Sequence, residues 1–329
     1  MKLITEVSLH RGELSIAHDK PILLMGSCFT EEIGGYLLKN KFTTLINPFG
    51  ILYNPLSIAK ALTLLLSDKL YTQADLHYDG ELYYSFMHHS SFSNKDATLC
   101  LEKINQQLIA TRKQLATTQT LIITYGTAYT YFLKETAEVV ANCHKLPAAL
   151  FTRRLLDVEE MKAATETVLA QLLKRYPQLH LLFTVSPIRH AKDGFPANQI
   201  SKSTLLLGIH KLGECFPKKM TYFPAYEIVM DELRDYRFYA ADMTHPSALT
   251  VAYIWEKFTQ CYFSNTTQTF MKEWQQVAQG IAHRPFSPES EKYKSFLRQI
   301  VLKIARLKEK YPYLDVEKER TICHTLLKE

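Results

Sequence analysis

Short, uninterrupted apolar runs alternate along this chain with longer stretches in which apolar residues recur every third or fourth position. Residues 21–25, 121–124, 179–185 and 220–224 are runs of the first kind. Each predicts a strand buried on both faces. Helical patterns lie between them: from Thr30, with Ile33, Leu37 and Leu38 on one face, then over 56–67, 97–117, 159–176 and 201–215. A further helix follows His245, with Ala252, Trp255 and Phe258 at helical spacing. Residues 47–55 are rich in turn formers, 71–93 alternate aromatic and polar side chains as a small hairpin excursion would, and Val139 and Val140 close a hairpin after Glu135. Strands alternating with helices predict βαβ units, hence a three-layer α/β sandwich around a mostly parallel sheet. From Ser264 the pattern turns helical and charge-laced, through 270–282 and 289–310. The expected organisation is an α/β domain over residues 1–263 and a helical extension over 264–329.

Composition narrows the function classes. At 329 residues and 47% hydrophobic, the chain can bury a large core and is not disordered. Its formal charge of +6 is spread along the sequence, so no nucleic-acid partner is expected. The six cysteines (Cys28, Cys100, Cys143, Cys215, Cys261 and Cys323) lie far apart, with neither a CxxC pair nor zinc spacing. Neither a metal site nor a disulfide framework follows. No apolar stretch reaches the roughly 18 residues of a membrane span, and the first residues lack the apolar core of a signal peptide. There is no glycine-rich phosphate loop. The expectation is a cytoplasmic protein with free thiols, no cofactor and no membrane partner.

The chemistry concentrates in two places. Cys28 sits in Gly26-Ser27-Cys28-Phe29-Thr30, where a strand turns into a helix. Backbone N–H groups at a helix start favour the thiolate, the reactive form of cysteine. Ser27 is the rival nucleophile next door. Far downstream, Asp242-Met243-Thr244-His245 places a carboxylate three residues before an imidazole. On a tight turn, Asp242 can orient His245 as a proton carrier for the nucleophile. Arg189, in the segment after the third strand run, can hold an anionic group or make a structural ion pair. Asn142 and His144 either wall the pocket or shape a loop. Lys202, between Ser201 and Ser203, reads as a helix start, and His88 and His89 read as local aromatic packing.

These segments carry a resemblance. Gly26–Thr30 resembles the name-giving motif of the GSCFA family. The likeness continues at Asn47-Pro48-Phe49-Gly50 with Tyr53-Asn54-Pro55, and at Tyr125-Gly126-Thr127-Ala128. It recurs at 142–147, 185–190 and 242–247. That family is similar to the SGNH/GDSL esterases, whose fold is a flavodoxin-like α/β sandwich. The resemblance implies a hydrolase of ester-type acyl groups, acting on a small-molecule or glycan ester. Cys28 (or Ser27) would be the nucleophile, with His245 and Asp242 completing the triad. It places the second-block glycine, an oxyanion donor, at Gly50. The third block, Gly-x-Asn-Asp, has no counterpart asparagine at Gly126-Thr127-Ala128; Thr127, Asn142 and Asn47 are the substitutes in view. Acyl transfer to a sugar hydroxyl, or a binding module without turnover, are the alternatives that the same residues leave open.

Overall fold

The structure, a computed structural model, describes residues 4–328. Its centre is a five-stranded, wholly parallel sheet. The strands are β1 (Ile22–Gly26), β2 (Thr44–Ile46), β5 (Thr120–Tyr125), β9 (His180–Val185) and β10 (Met220–Phe223). Across the sheet they run β2-β1-β5-β9-β10. Counting only these strands, that is the 2-1-3-4-5 order of flavodoxin-like sheets, whose topological switch lies between the first and third strands. In register, Leu24 faces Ile46 on one side and Ile122 on the other.

The apolar runs are continuous because both faces of each strand are covered. Leu23, Met25, Leu121, Ile123 and Phe183 point to one side. There they meet α2 (Pro55–Leu66), α3 (Ala97–Leu115), α4 (Val158–Arg175) and α5 (Phe195–Cys215). Ile22, Leu24, Ile122, Leu182 and Phe223 point to the other, against α1 (Cys28–Lys39) and α7 (Ala248–Tyr262). This period-two division is what a pleated strand dictates. Burying a side chain such as Leu24 contributes on the order of 1.5–3 kcal/mol, so the two layers hold the sheet rigid under the loops at its edge.

Two excursions leave the sheet. β3 (His77–Tyr78) and β4 (Tyr83–Tyr84) form the small hairpin expected from the aromatic alternation. After β5, the chain builds a second sheet of β6 (Tyr129–Leu133), β7 (Val139–Val140) and β8 (Phe151–Leu155), ordered β7-β6-β8. Only β7 was legible as a hairpin edge. The helix expected from residue 201 begins earlier, at Phe195, with Pro196 in its first turn, where its missing N–H costs nothing. Lys202 therefore lies inside α5, not at its start. After β10, a short helix α6 (Ala225–Glu227) runs into a π-helical turn, Ile228–Leu233, closed by Arg234 in the left-handed region at φ 52°.

Helices α8 (Asn265–Ala282), α9 (Glu291–Lys310) and α10 (Glu317–Lys328) share their own apolar cluster around Phe270, Trp274, Ile304 and Cys323. They attach to the C-terminal end of α1. The Trp274 indole donates to the Lys39 carbonyl at 2.9 Å, and Lys41 pairs with Glu319 at 2.7 Å. The 12 residues of α1 put this junction about 18 Å from Cys28, at about 1.5 Å of rise per residue.

Candidate active site

Gly26 ends β1 at φ 149°, and a Cβ there would lie 2.2 Å from the Thr124 carbonyl oxygen. Only glycine lets β1 run this close to β5. Ser27 then donates its N–H to the same Thr124 carbonyl at 3.1 Å, and α1 begins at Cys28. This pinning fixes where the sulfur sits. Ser27 itself is buried, its hydroxyl without a partner, and it does not line the cleft. Cys28 does.

The cleft holds about 550 Å³ and opens over the C-terminal ends of β1 and β5, the switch point of the sheet. Cys28, Tyr53, Asn54, Thr127, His190 and His245 are among its lining residues. Tyr129, Tyr131 and Arg153 of the second sheet line it too, with the Arg153 guanidinium 4.0 Å from the Tyr129 ring centre and its Nη2 donating to both Asp193 carboxylate oxygens at 2.7 and 2.8 Å.

His245 reaches this cleft from the turn before α7. Its Nδ1 lies 2.6 Å from Asp242 Oδ2, while Asp242 Oδ1 accepts the N–H groups of Thr244 and His245, each at 2.9 Å. Met243 takes the left-handed region at φ 57° to close the turn. The His245 and Thr244 N–H groups hold the Asp242 carboxyl well below its ordinary range, because hydrogen bonds to the charged form stabilise it. A carboxylate on Nδ1 leaves Nε2 of His245 as the nitrogen able to take a proton.

The thiol departs from expectation. Burial pushes the Cys28 thiol up, and this outweighs the opposing pull of the Cys28 and Phe29 N–H groups; Glu31 and Glu32 add to the rise. The helix start therefore does not produce a standing thiolate, and the sulfur needs a base at the moment of attack.

Several residues expected to touch substrate are engaged elsewhere. The Gly50 N–H donates to the Asn47 carbonyl at 2.7 Å, and Gly50 sits outside the cleft lining, tight against His89. Asn47 holds the framework: its Oδ1 accepts the Gly26 N–H at 2.9 Å. The N–H groups of Gly126 and Thr127 both donate to Tyr53 O. Thr127 lines the cleft, but its hydroxyl bonds Ser201 Oγ at 3.0 Å. Asn142 lines it too, its Oδ1 accepting the His144 N–H at 2.8 Å. His144 is held outside by Ser85 O at 3.0 Å. Arg189 lines the cleft.

Sequence reasoning passed over two residues here. Asn54 caps α2, its Oδ1 accepting the Ser57 N–H at 2.9 Å. That bond fixes the amide's orientation and leaves Nδ2 without a protein partner on the cleft side. The sequence signal was present, since Asn-Pro before an apolar run is a helix-start pattern, but nothing local says that Asn54 lines the same cleft as Cys28. Lys202 is fully buried, and its ammonium donates to the carbonyls of Gly126 and Ser186, each at 2.7 Å. These carbonyls follow β5 and β9, so one lysine ties together the floor of the cleft. Burial pushes this ammonium down to about 7, Arg189 adding to the fall. His190 is also pushed down, to about 4, by burial and then by Lys202.

Among the described residues no group of three or more His, Cys, Asp or Glu side chains could hold a metal ion, and no helix is long and apolar enough to cross a membrane.

Residues 21–258 match the GSCFA family, and residues 274–329 match the C-terminal domain of GSCFA domain proteins. No curated protein matches the chain. Two solved structures are distantly similar, each at 11% sequence identity over 74% of this chain. One, described as a platelet activating factor from Streptococcus pneumonia, is covered over 85% of its length with a TM-score of 0.34. The other, an acetyl xylan esterase from the rumen bacterium Butyrivibrio proteoclasticus, is covered over 63% with a TM-score of 0.37. The family match runs unbroken from before β1 into α7, taking in Cys28 and the Asp242–His245 turn, and the chain accordingly belongs to the GSCFA family.

Proposed function

We propose that the protein is an acyl hydrolase working through Cys28, His245 and Asp242. One observation carries this reading: Cys28 and His245 line the same cleft, and His245 is oriented by Asp242 at 2.6 Å with its far nitrogen available. In the reaction, His245 Nε2 takes the thiol proton as Cys28 Sγ bonds to the ester carbonyl carbon, and the carbonyl π pair moves onto oxygen. The oxyanion is met by the Cys28 N–H at the helix start and by Nδ2 of Asn54. Asn54 thus takes the part of the asparagine that is absent after Gly126. The tetrahedral adduct collapses, breaking the bond to the alcohol oxygen, which leaves with the proton from His245. Water then attacks the acyl-cysteine, His245 takes its proton, and the thiol is expelled and reprotonated. A sugar hydroxyl in place of that water would make the same machinery a transferase.

The raised thiol, together with the committed N–H groups of Gly50 and Gly126, favours a second reading, a binding module without turnover. Turnover of short acyl esters and thioesters by wild type, Cys28→Ala and His245→Ala separates the two. The hydrolase reading expects activity that both substitutions abolish. Equal residual rates in all three proteins overturn it.

A further inference from the structure

Arg189 belongs to two clefts at once. One is the Cys28 cleft; the other holds about 360 Å³ and lies between α5 and the π-helical turn. Its backbone N–H donates to Thr244 O at 3.2 Å, tying it to the turn that carries His245. Its side chain is half-buried with the guanidinium 5.0 Å from the Phe195 ring centre. Nη1 reaches the Met230 sulfur at 3.7 Å, the guanidinium also interacts with the Tyr239 hydroxyl, and Nε is buried with no partner. No carboxylate pairs with it among the described residues. Arg234, held over the same cleft by its left-handed backbone, makes no ion pair either. The carboxylate of Asp235 in the same wall is occupied, accepting the Arg237 N–H at 2.8 Å and facing the Arg237 guanidinium at 3.9 Å. The remaining wall offers aromatic surfaces, Tyr236 and Tyr239 beside Phe195.

A half-buried guanidinium without an acid is unfavourable unless an anion completes it. Its planar fork fits a carboxylate in two parallel hydrogen bonds. Aromatic faces pack against ring faces, and a cleft of about 360 Å³ has room for a ring-bearing group, not a long chain of rings. Asp235 in the wall disfavours a dianion such as phosphate.

We propose that this second cleft is a subsite for a carboxylate carried on a single ring, planar as in an aromatic acid or a chair with an apolar C–H face as in a uronic acid, which forms the non-reacting part of the ester. The inference rests on the hydrolase reading for the ester, but the carboxylate site can be tested by itself. Calorimetric titration with benzoate against benzamide, and with glucuronate against glucose, reads binding without chemistry. The acids bind more tightly than their neutral partners by about tenfold or more. Arg189→Gln removes that preference, and the exposed Arg234→Gln reduces it without endangering the fold. Equal binding of acid and neutral probes, no loss in either variant, or tighter binding of inorganic phosphate than of the acids overturns the subsite. With turnover in hand, 4-acetoxybenzoate shows a lower KM than its methyl ester at similar kcat, and Arg234→Gln narrows the difference. Carboxylate binding without turnover of any ester sinks the hydrolase and leaves the subsite standing; turnover indifferent to charge does the reverse.

Discussion

The carbonyl of Tyr53 accepts two N–H groups, that of Gly126 at 2.8 Å and that of Thr127 at 3.0 Å. The bond pair ties the loop after β5 to the residue just before Asn54. It commits two backbone donors, and in the hydrolase reading the Asn54 amide serves in their place.

Asn54 can be dissected because its two amide atoms do different work. Asn54→Ser keeps an oxygen to cap α2 and loses the amide nitrogen. We expect kcat to fall on the order of 10²–10³-fold, with unfolding stability changed by less than about 1 kcal/mol. Urea melts alongside ester turnover check both, and an unchanged kcat removes Asn54 from the oxyanion site.

Asp242→Asn preserves an oxygen for the turn and withdraws the charge from His245. The imidazolium formed during attack loses its counter-charge, so kcat drops on the order of 10²–10⁴-fold while KM moves little. A variant that instead raises KM alone would make Asp242 a substrate-binding group.

The direction of the Cys28 shift predicts the pH dependence of its reactivity. With burial favouring the neutral thiol, carboxymethylation of Cys28 by iodoacetate reaches half its limiting rate above the ordinary 9.0 of a thiol. Mass spectrometry of the Cys28 peptide after timed labelling gives the curve. A midpoint below that value means that a stable thiolate exists after all.

Lys202 gives the fold a signature of its own. In the unfolded chain it keeps its proton to about 10.5, but in the folded protein only to about 7. Between these values the unfolded state binds the extra proton, so stability rises with pH across that window and is lowest below it. The slope from this group is at most about 1.4 kcal/mol per pH unit. Comparing urea midpoints at pH 7 and 9 for wild type and Lys202→Met isolates it, since other titrating groups are common to both. The wild type gains more on going to pH 9. Parallel behaviour refutes the assignment.

What the sequence disclosed depended on whether the signal was local. The strands of the main sheet, except the three-residue edge strand β2, show as apolar runs because both faces are buried. The thiol at a strand-to-helix turn and the Asp-x-x-His spacing are short-range patterns, and so were readable. The second sheet was not, because β6 and β8 are half-exposed and mix tyrosine with arginine, leaving no clean alternation. Lys202 was read as a helix boundary because a lone buried cation has no composition signal; its partners are carbonyls 76 and 16 residues away. Asn47 and Gly50 looked like donors aimed at substrate, yet each is committed to holding the framework around the site. From sequence, a residue that shapes a site and one that touches its ligand look alike.

The strand crossing beneath the sulfur has a consequence for how this protein can change. With the Thr124 oxygen 2.2 Å from where a methyl at position 26 would sit, any larger residue wedges β1 from β5 and carries the thiol away from the imidazole. The clash is with backbone, where no flexible side chain can yield, so such a chain loses stability together with the placement of the thiol. Gly26 thus sets one tolerance for both, the packing of the sheet and the position of the sulfur.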